Sequence, residues 1–104
     1  MPHRVVVEVN EDLGDLIPGF LAHKRADVST ILRAIARRDY AEIARVAHRL
    51  KGDGGSYGFD TMTELGRSLD AAASARNDGA VITLVRQLLN YIDDVEIVLQ
   101  PADD

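Results

Sequence analysis

Cysteine and tryptophan are missing from this 104-residue chain, and aromatic residues make up only 5% of it. Without cysteine there can be no disulfide framework, thiolate zinc site or thiol nucleophile, which fits a reducing compartment. Basic residues are also in short supply: 12 Lys and Arg face 17 Asp and Glu, leaving a net charge of −5. A surface of that sign repels phosphate backbones and argues against a nucleic-acid partner. No apolar run approaches the roughly 18 residues of a membrane span, and the N-terminus lacks the apolar stretch of a signal peptide. A cytoplasmic, non-membrane protein is expected. His3, His23 and His48 are far apart and in neither HExxH nor Glu-x-x-His spacing, so no metal is expected. The Gly-Lys-Ser/Thr ending of a phosphate-binding loop is also missing, and no cofactor is expected.

What the chain does have is aliphatic residues at helical spacing. One domain spanning 1–104, with its core in about residues 10–99, suits the length. "RVVVEV", residues 4–9, is β-branched and reads as an extended lead-in lying on the fold. Asn10 reads as an N-cap for a short leading helix that ends near Leu16. Pro18 belongs in the first turn of the next helix, which runs to about Arg37 with Phe20, Leu21, Val28, Ile31, Leu32 and Ile35 facing inward. A further helix over 40–57 carries Ile43, Val46, Ala47, Leu50 and Tyr57 on one face. Asp60 caps the next, whose stripe is Met62, Leu65, Leu69, Ala72 and Ala73. The last runs from about Gly79, after an Asp78 cap, to Leu99. Short connections between amphipathic helices imply an all-α, antiparallel up-down four-helix bundle.

Residues 47–59, "AHRLKGDGGSYGF", hold four of the eight glycines. At roughly 100° per residue His48 points away from the apolar stripe, toward solvent. Ala41, Ala44, Gly52 and Gly55 lie along its face, and Lys51 is three residues on, within reach of the imidazole. An exposed histidine is largely unprotonated at neutral pH and has a nucleophilic ring nitrogen. A track of small residues would let another protein's active site approach it. A phosphoryl group accepted there would find Lys51 as a counter-charge. The glycines make sense on this reading only if the helix continues through them. Arg45 and Arg49 flank the same face and either meet an acidic partner cleft or are simply solvated. An EF-hand reading of residues 53–64 fails because Gly55 and Tyr57 supply no carboxylate or amide oxygen.

The stretch is similar to the phosphorylation motif of histidine-containing phosphotransfer (HPt) domains: His, any residue, Leu, Lys, Gly, five mostly small or apolar residues, Gly, then a Leu-rich helix. Here the pattern falls on His48, Leu50, Lys51, Gly52 and Gly58, then Leu65 and Leu69, without insertion. The resemblance implies a four-helix bundle with a short leading helix, and a phosphorelay carrier that is not itself an enzyme. His48 would take a phosphoryl group from a receiver-domain aspartate and pass it to another receiver, with Lys51 steadying the group. Gly52 and Gly55 would leave room for the receiver of a response regulator or hybrid histidine kinase, with Ala44, Arg45 and Arg49 also in the contact. Asp70 stands where many members carry Glu, Gly54 and Gly55 where Ser or Ala is frequent, and Asp53 where a small residue is common. A free-standing monomer is expected. The alternative is an adaptor or inhibitor that binds a receiver or kinase without accepting phosphoryl.

Overall fold

The computed structural model describes residues 5–101; His3, Arg4 and the acidic end at 102–104 lie outside them. A strand, β1 (Val5–Asn10), leads through a 3₁₀ segment (Glu11–Leu16) into four helices: α1 (Ile17–Ala36), α2 (Tyr40–Tyr57), α3 (Asp60–Ser74) and α4 (Asp78–Asp94). A second strand, β2 (Val95–Gln100), closes the series. Each helix packs on the next and α1 packs on α4, so the four close into a compact bundle around one apolar core.

Local chemistry sets the boundaries. The Asn10 side chain accepts from the Asp12 N–H at 2.8 Å, and Pro18 occupies the first turn of α1, where no hydrogen bond is lost. Asp39 caps α2 by accepting from the Glu42 N–H. Gly58, at φ 84°, ends α2 in the left-handed conformation that glycine adopts freely. The cap of α3 is Phe59, whose side chain is fully buried, and Asp60 is the first helical residue. Asn77 caps α4 through its side chain, and Asp78 is the first residue inside it. Both expected caps are therefore displaced by one residue.

The all-α expectation needs a larger correction at the termini. β1 is not a lone extended segment: it pairs in parallel with β2, Val5 opposite Val95 through to Asn10 opposite Gln100. The last helix stops at Asp94, five residues short of Leu99. Val95 and Leu99 are four apart, which suits a helix, but Val95 and Ile97 turn inward while Glu96 and Val98 turn out. That period of two, in a β-branched run, is a strand signature. Val7 and Val9 of β1 are buried against the helices. Leu99 is half-exposed and covers Gly14, where a Cβ would come within 3.0 Å of its side chain. Leu32 also faces out rather than in, because it sits about 100° from its neighbour Ile31, past the edge of the stripe.

The core holds most of the other expected stripe residues, including Ile31, Ile43, Val46, Leu50, Met62, Leu69, Val81 and Leu88, and Leu21, Ile35 and Tyr57 pack half-buried against it. Phe20 stacks on Tyr57 at 4.3 Å and on Phe59 at 5.3 Å, tying α1 to the end of α2. Burial pushes the Tyr91 hydroxyl, which packs edge-on to Phe59, up to about 12.

Beside this apolar core lies a cluster of charges between α1 and α2. Lys24 is 0% exposed, with its Nζ 2.9 Å from Asp27 Oδ2 and 2.6 Å from Asp53 Oδ2. Asp27, also buried, accepts from Arg49 on its other oxygen. Two cations and two carboxylates thus compensate one another where an isolated buried charge would be untenable. Asp27→Ala is expected to lower unfolding free energy by about 3–5 kcal/mol, because it strands Arg49 and halves the partners of Lys24. Urea denaturation measures this, and a loss below about 1 kcal/mol would mean that the cluster does not hold the helices together.

Candidate functional site

α2 continues without interruption through Gly52, Gly54 and Gly55 to Tyr57. An ion-wrapping loop over residues 53–64 is thereby excluded, since 53–57 and 60–64 are both helical. His48 projects from the outer face of α2 with 66% of its side chain exposed. Lys51 is exposed one turn further on. A Cβ added at Gly52 would meet nothing within 4 Å, and one at Gly55 only Thr63 Oγ1 at 3.9 Å. Ala41 is exposed and Ala44 half-buried on the same face. The small-residue track therefore lies open on both sides of the imidazole. Within it, the Ser56 hydroxyl donates back to the Gly52 carbonyl, adding one local bond to a stretch of low helix propensity.

Two other glycines do different work. Gly54 is buried, and a Cβ there would meet Thr63 Oγ1 at 2.7 Å and the Phe59 carbonyl and Thr63 amide at 2.9 Å. Gly66 of α3 makes a second close approach one turn back along α2, where a Cβ would meet the Lys51 amide at 2.7 Å and the Ala47 carbonyl at 2.9 Å. The backbones of α2 and α3 thus touch beneath His48, and the Thr63 hydroxyl donates to the Lys51 carbonyl. This close approach brings Asp70 of α3 to the imidazole, with its Oδ2 3.3 Å from His48 Nε2. The imidazole therefore has a carboxylate beside its Nε2, contributed by the facing helix.

The flanking arginines separate into two kinds. Arg45 stays on the surface but grips Glu42 with two bonds, Nε to Oε2 at 2.9 Å and Nη2 to Oε1 at 2.6 Å. Those bonds hold the Glu42 carboxyl below its usual range and raise the Arg45 guanidinium. Arg49 is drawn inward to Asp27 and keeps 35% of its side chain exposed. Asp53 serves Lys24 and is directed to α1, roughly 140° around α2 from His48. It is therefore a structural residue of the buried charge cluster.

His23, at 57% exposure, approaches Asp27 only to 4.0 Å. Among the described residues no group of three or more histidine and acidic side chains is set to hold a metal ion. No helix among them is long and apolar enough to cross a membrane. The stripe pattern overlooked Gly66, although a glycine directly after the inward Leu65 is a sign of close helix approach. It also overlooked Lys24 and Asp27, whose i,i+3 spacing was the available clue.

A family model described as Hpt domain matches residues 15–96. No curated protein and no solved structure matches the chain significantly.

The glycines supply a test of this geometry. Gly52→Ala and Gly55→Ala should each raise unfolding free energy by up to about 1 kcal/mol, the helix-propensity difference. Gly54→Ala and Gly66→Ala should each lower it by about 1–3 kcal/mol through overpacking. Thermal or urea unfolding reads both, and the reverse order would contradict the assignment of open and closed glycines.

Proposed function

The chain belongs to the Hpt family, which implies a histidine phosphotransfer role in a phosphorelay, and from that premise we propose His48 as the phosphoryl acceptor. The observation that carries the proposal is the exposed imidazole over an open glycine track, with Lys51 and Asp70 beside it. The donor is a receiver-domain aspartyl phosphate. The lone pair of an imidazole nitrogen attacks phosphorus, an N–P bond forms, and the P–O bond to the donor carboxylate breaks. The aspartate leaves as a carboxylate. The reverse step delivers the group to a second receiver.

Each neighbour has a role in that exchange. Lys51 offsets the charge of the phosphoryl group once it sits on the ring. Asp70 holds the imidazole toward the groove so that it need not be ordered at the moment of attack. Gly52 and Gly55 keep side chains out of the path of the partner. Arg45 and Ala44 lie within the area that the partner covers. Arg49, tied to Asp27, contributes chiefly by holding α2 against α1. No nucleotide enters the step, so the chain is a carrier without autokinase activity.

Incubation with a phosphorylated receiver should yield an acid-labile phosphoprotein, and His48→Gln should abolish it. Binding of the receiver by wild type without labelling would instead support a non-phosphorylated adaptor. Asp70→Asn should slow transfer about threefold to fivefold: the ring gains positive charge as the N–P bond forms, and a carboxylate 3.3 Å away offsets it by up to about 1 kcal/mol for so exposed a pair. An unchanged rate would remove Asp70 from the reaction.

A further inference from the structure

The groove between α2 and α3 does not end at His48. One turn along α2 it reaches Ala44, and two turns along, Tyr40, while on α3 it passes from Asp70 to Ser74. Tyr40, Ala44, Ala73, Ser74 and Arg76 line a small depression there, which opens into a cleft of about 510 Å³ between the α1–α2 and α3–α4 turns. Two arginines, Arg38 and Arg76, line that cleft, one from each turn.

Their backbones are unusual. Arg38 has φ 57° and Arg76 φ 52°, the two non-glycine residues with positive φ among those described. Glycine or asparagine takes this position after a helix with little strain, whereas other residues with a Cβ disfavour it. Both turns thus carry a long cationic side chain where the backbone favours none. Arg76 lies over the Tyr40 ring at 5.6 Å, and the Tyr40 hydroxyl donates to Asp78 at 2.7 Å. Asp39, at the rim, accepts from the Glu42 amide and faces Arg37 at 3.9 Å. Asp78 thus holds a neutral hydroxyl and keeps its charge, whereas Asp39 is offset by Arg37, so Arg37, Arg38 and Arg76 leave the cleft and its rim with one net positive charge. Arg38 has no ion pair within the described residues.

Electrostatics gives the pair a purpose. A protein surface that presents an aspartyl phosphate is anionic, and this chain has a net charge of −5. Approach to His48 is opposed unless cations lie within the contact. Arg45 and Arg49 are already neutralised by Glu42 and Asp27, which leaves Lys51, Arg38 and Arg76. Tyr40 is only about 12 Å along α2 from His48. A standard interface, about 800 Å² per partner and roughly 30 Å across, covers both. We propose that the Arg38–Arg76 cleft is a docking site for an acidic segment of the receiver domain that exchanges phosphoryl with His48, and that it sets affinity and partner choice. This rests on the assignment of His48 as acceptor.

Glycine at these positions relieves the backbone while removing the charge, so the test does not depend on a damaged fold. The probe is the phosphorylated receiver domain that labels the wild-type chain fastest among those of the same genome. For Arg38→Gly/Arg76→Gly, KM for that receiver should rise about tenfold and its dependence on salt should flatten. The maximal rate should stay within about twofold, as expected when docking contacts are lost without change at the reacting atoms. Labelling of His48 by phosphoramidate, a donor too small to dock, should be unchanged. A wild-type KM and salt dependence in the variant would overturn the docking site. Equal loss of phosphoramidate labelling would also overturn it, since the substitutions would then act on His48 itself. If neither donor labels wild type, the acceptor assignment fails, and the docking site with it.

Discussion

Everything at the site depends on how closely α2 and α3 approach each other. Gly54 on one helix and Gly66 on the other remove the two Cβ atoms that would hold the backbones apart. The Lys51 amide and Ala47 carbonyl then lie directly against α3, and the groove floor beneath His48 is main chain rather than side chain. A floor of that kind is stiff, because backbone in a helix has few alternative conformations. The imidazole above it is accordingly presented at a fixed height, and Asp70 reaches it from the facing helix. An alanine at Gly66 would force the helices apart by a few tenths of an ångström or more, and the His48–Asp70 distance would change with them.

The opposite flank of α2 is held by charge rather than by close backbone contact. Lys24, Asp27, Arg49 and Asp53 form a compensated cluster between α1 and α2. Buried ion groups add little net stability over apolar packing, yet they punish misalignment severely. Their value here is register: Arg49 and Asp53 are one turn apart, so the pair that fits α1 also fixes which residues of α2 face outward. One flank sets the depth of the site and the other sets its rotation. At the termini, β1 and β2 pair over the helix ends.

Much of this could be read in the residues. The bounds of α2 and the exposure of His48 followed from helical periodicity, because α2 obeys one period over its whole length, while its passage through the glycines was a condition that the functional reading imposed. Lys51 followed from its spacing to His48, and the family motif added Gly58. The parallel sheet escaped notice because Val95 and Leu99 satisfy helical and extended spacing alike, and because pairing between residues ninety positions apart leaves no local trace. The charge cluster escaped for a related reason. Lys24 and Asp27 look like an ordinary solvated pair until Asp53 and Arg49 arrive from another helix. Gly54 and Gly66 show the same limit: a glycine announces that something comes close, and only the fold says what.

One imidazole, exposed over open glycines with Asp70 beside it and Lys51 one turn on, is the proposed acceptor of the phosphoryl group. Mass-spectrometric mapping of the wild-type chain after brief exposure to a phosphorylated receiver tests it most directly, provided the sample is kept at alkaline pH to preserve the N–P bond. A single phosphoryl group on His48 is the predicted result. Modification of His23 or His3 in its place, or of a serine or aspartate, would rule out His48 as the acceptor.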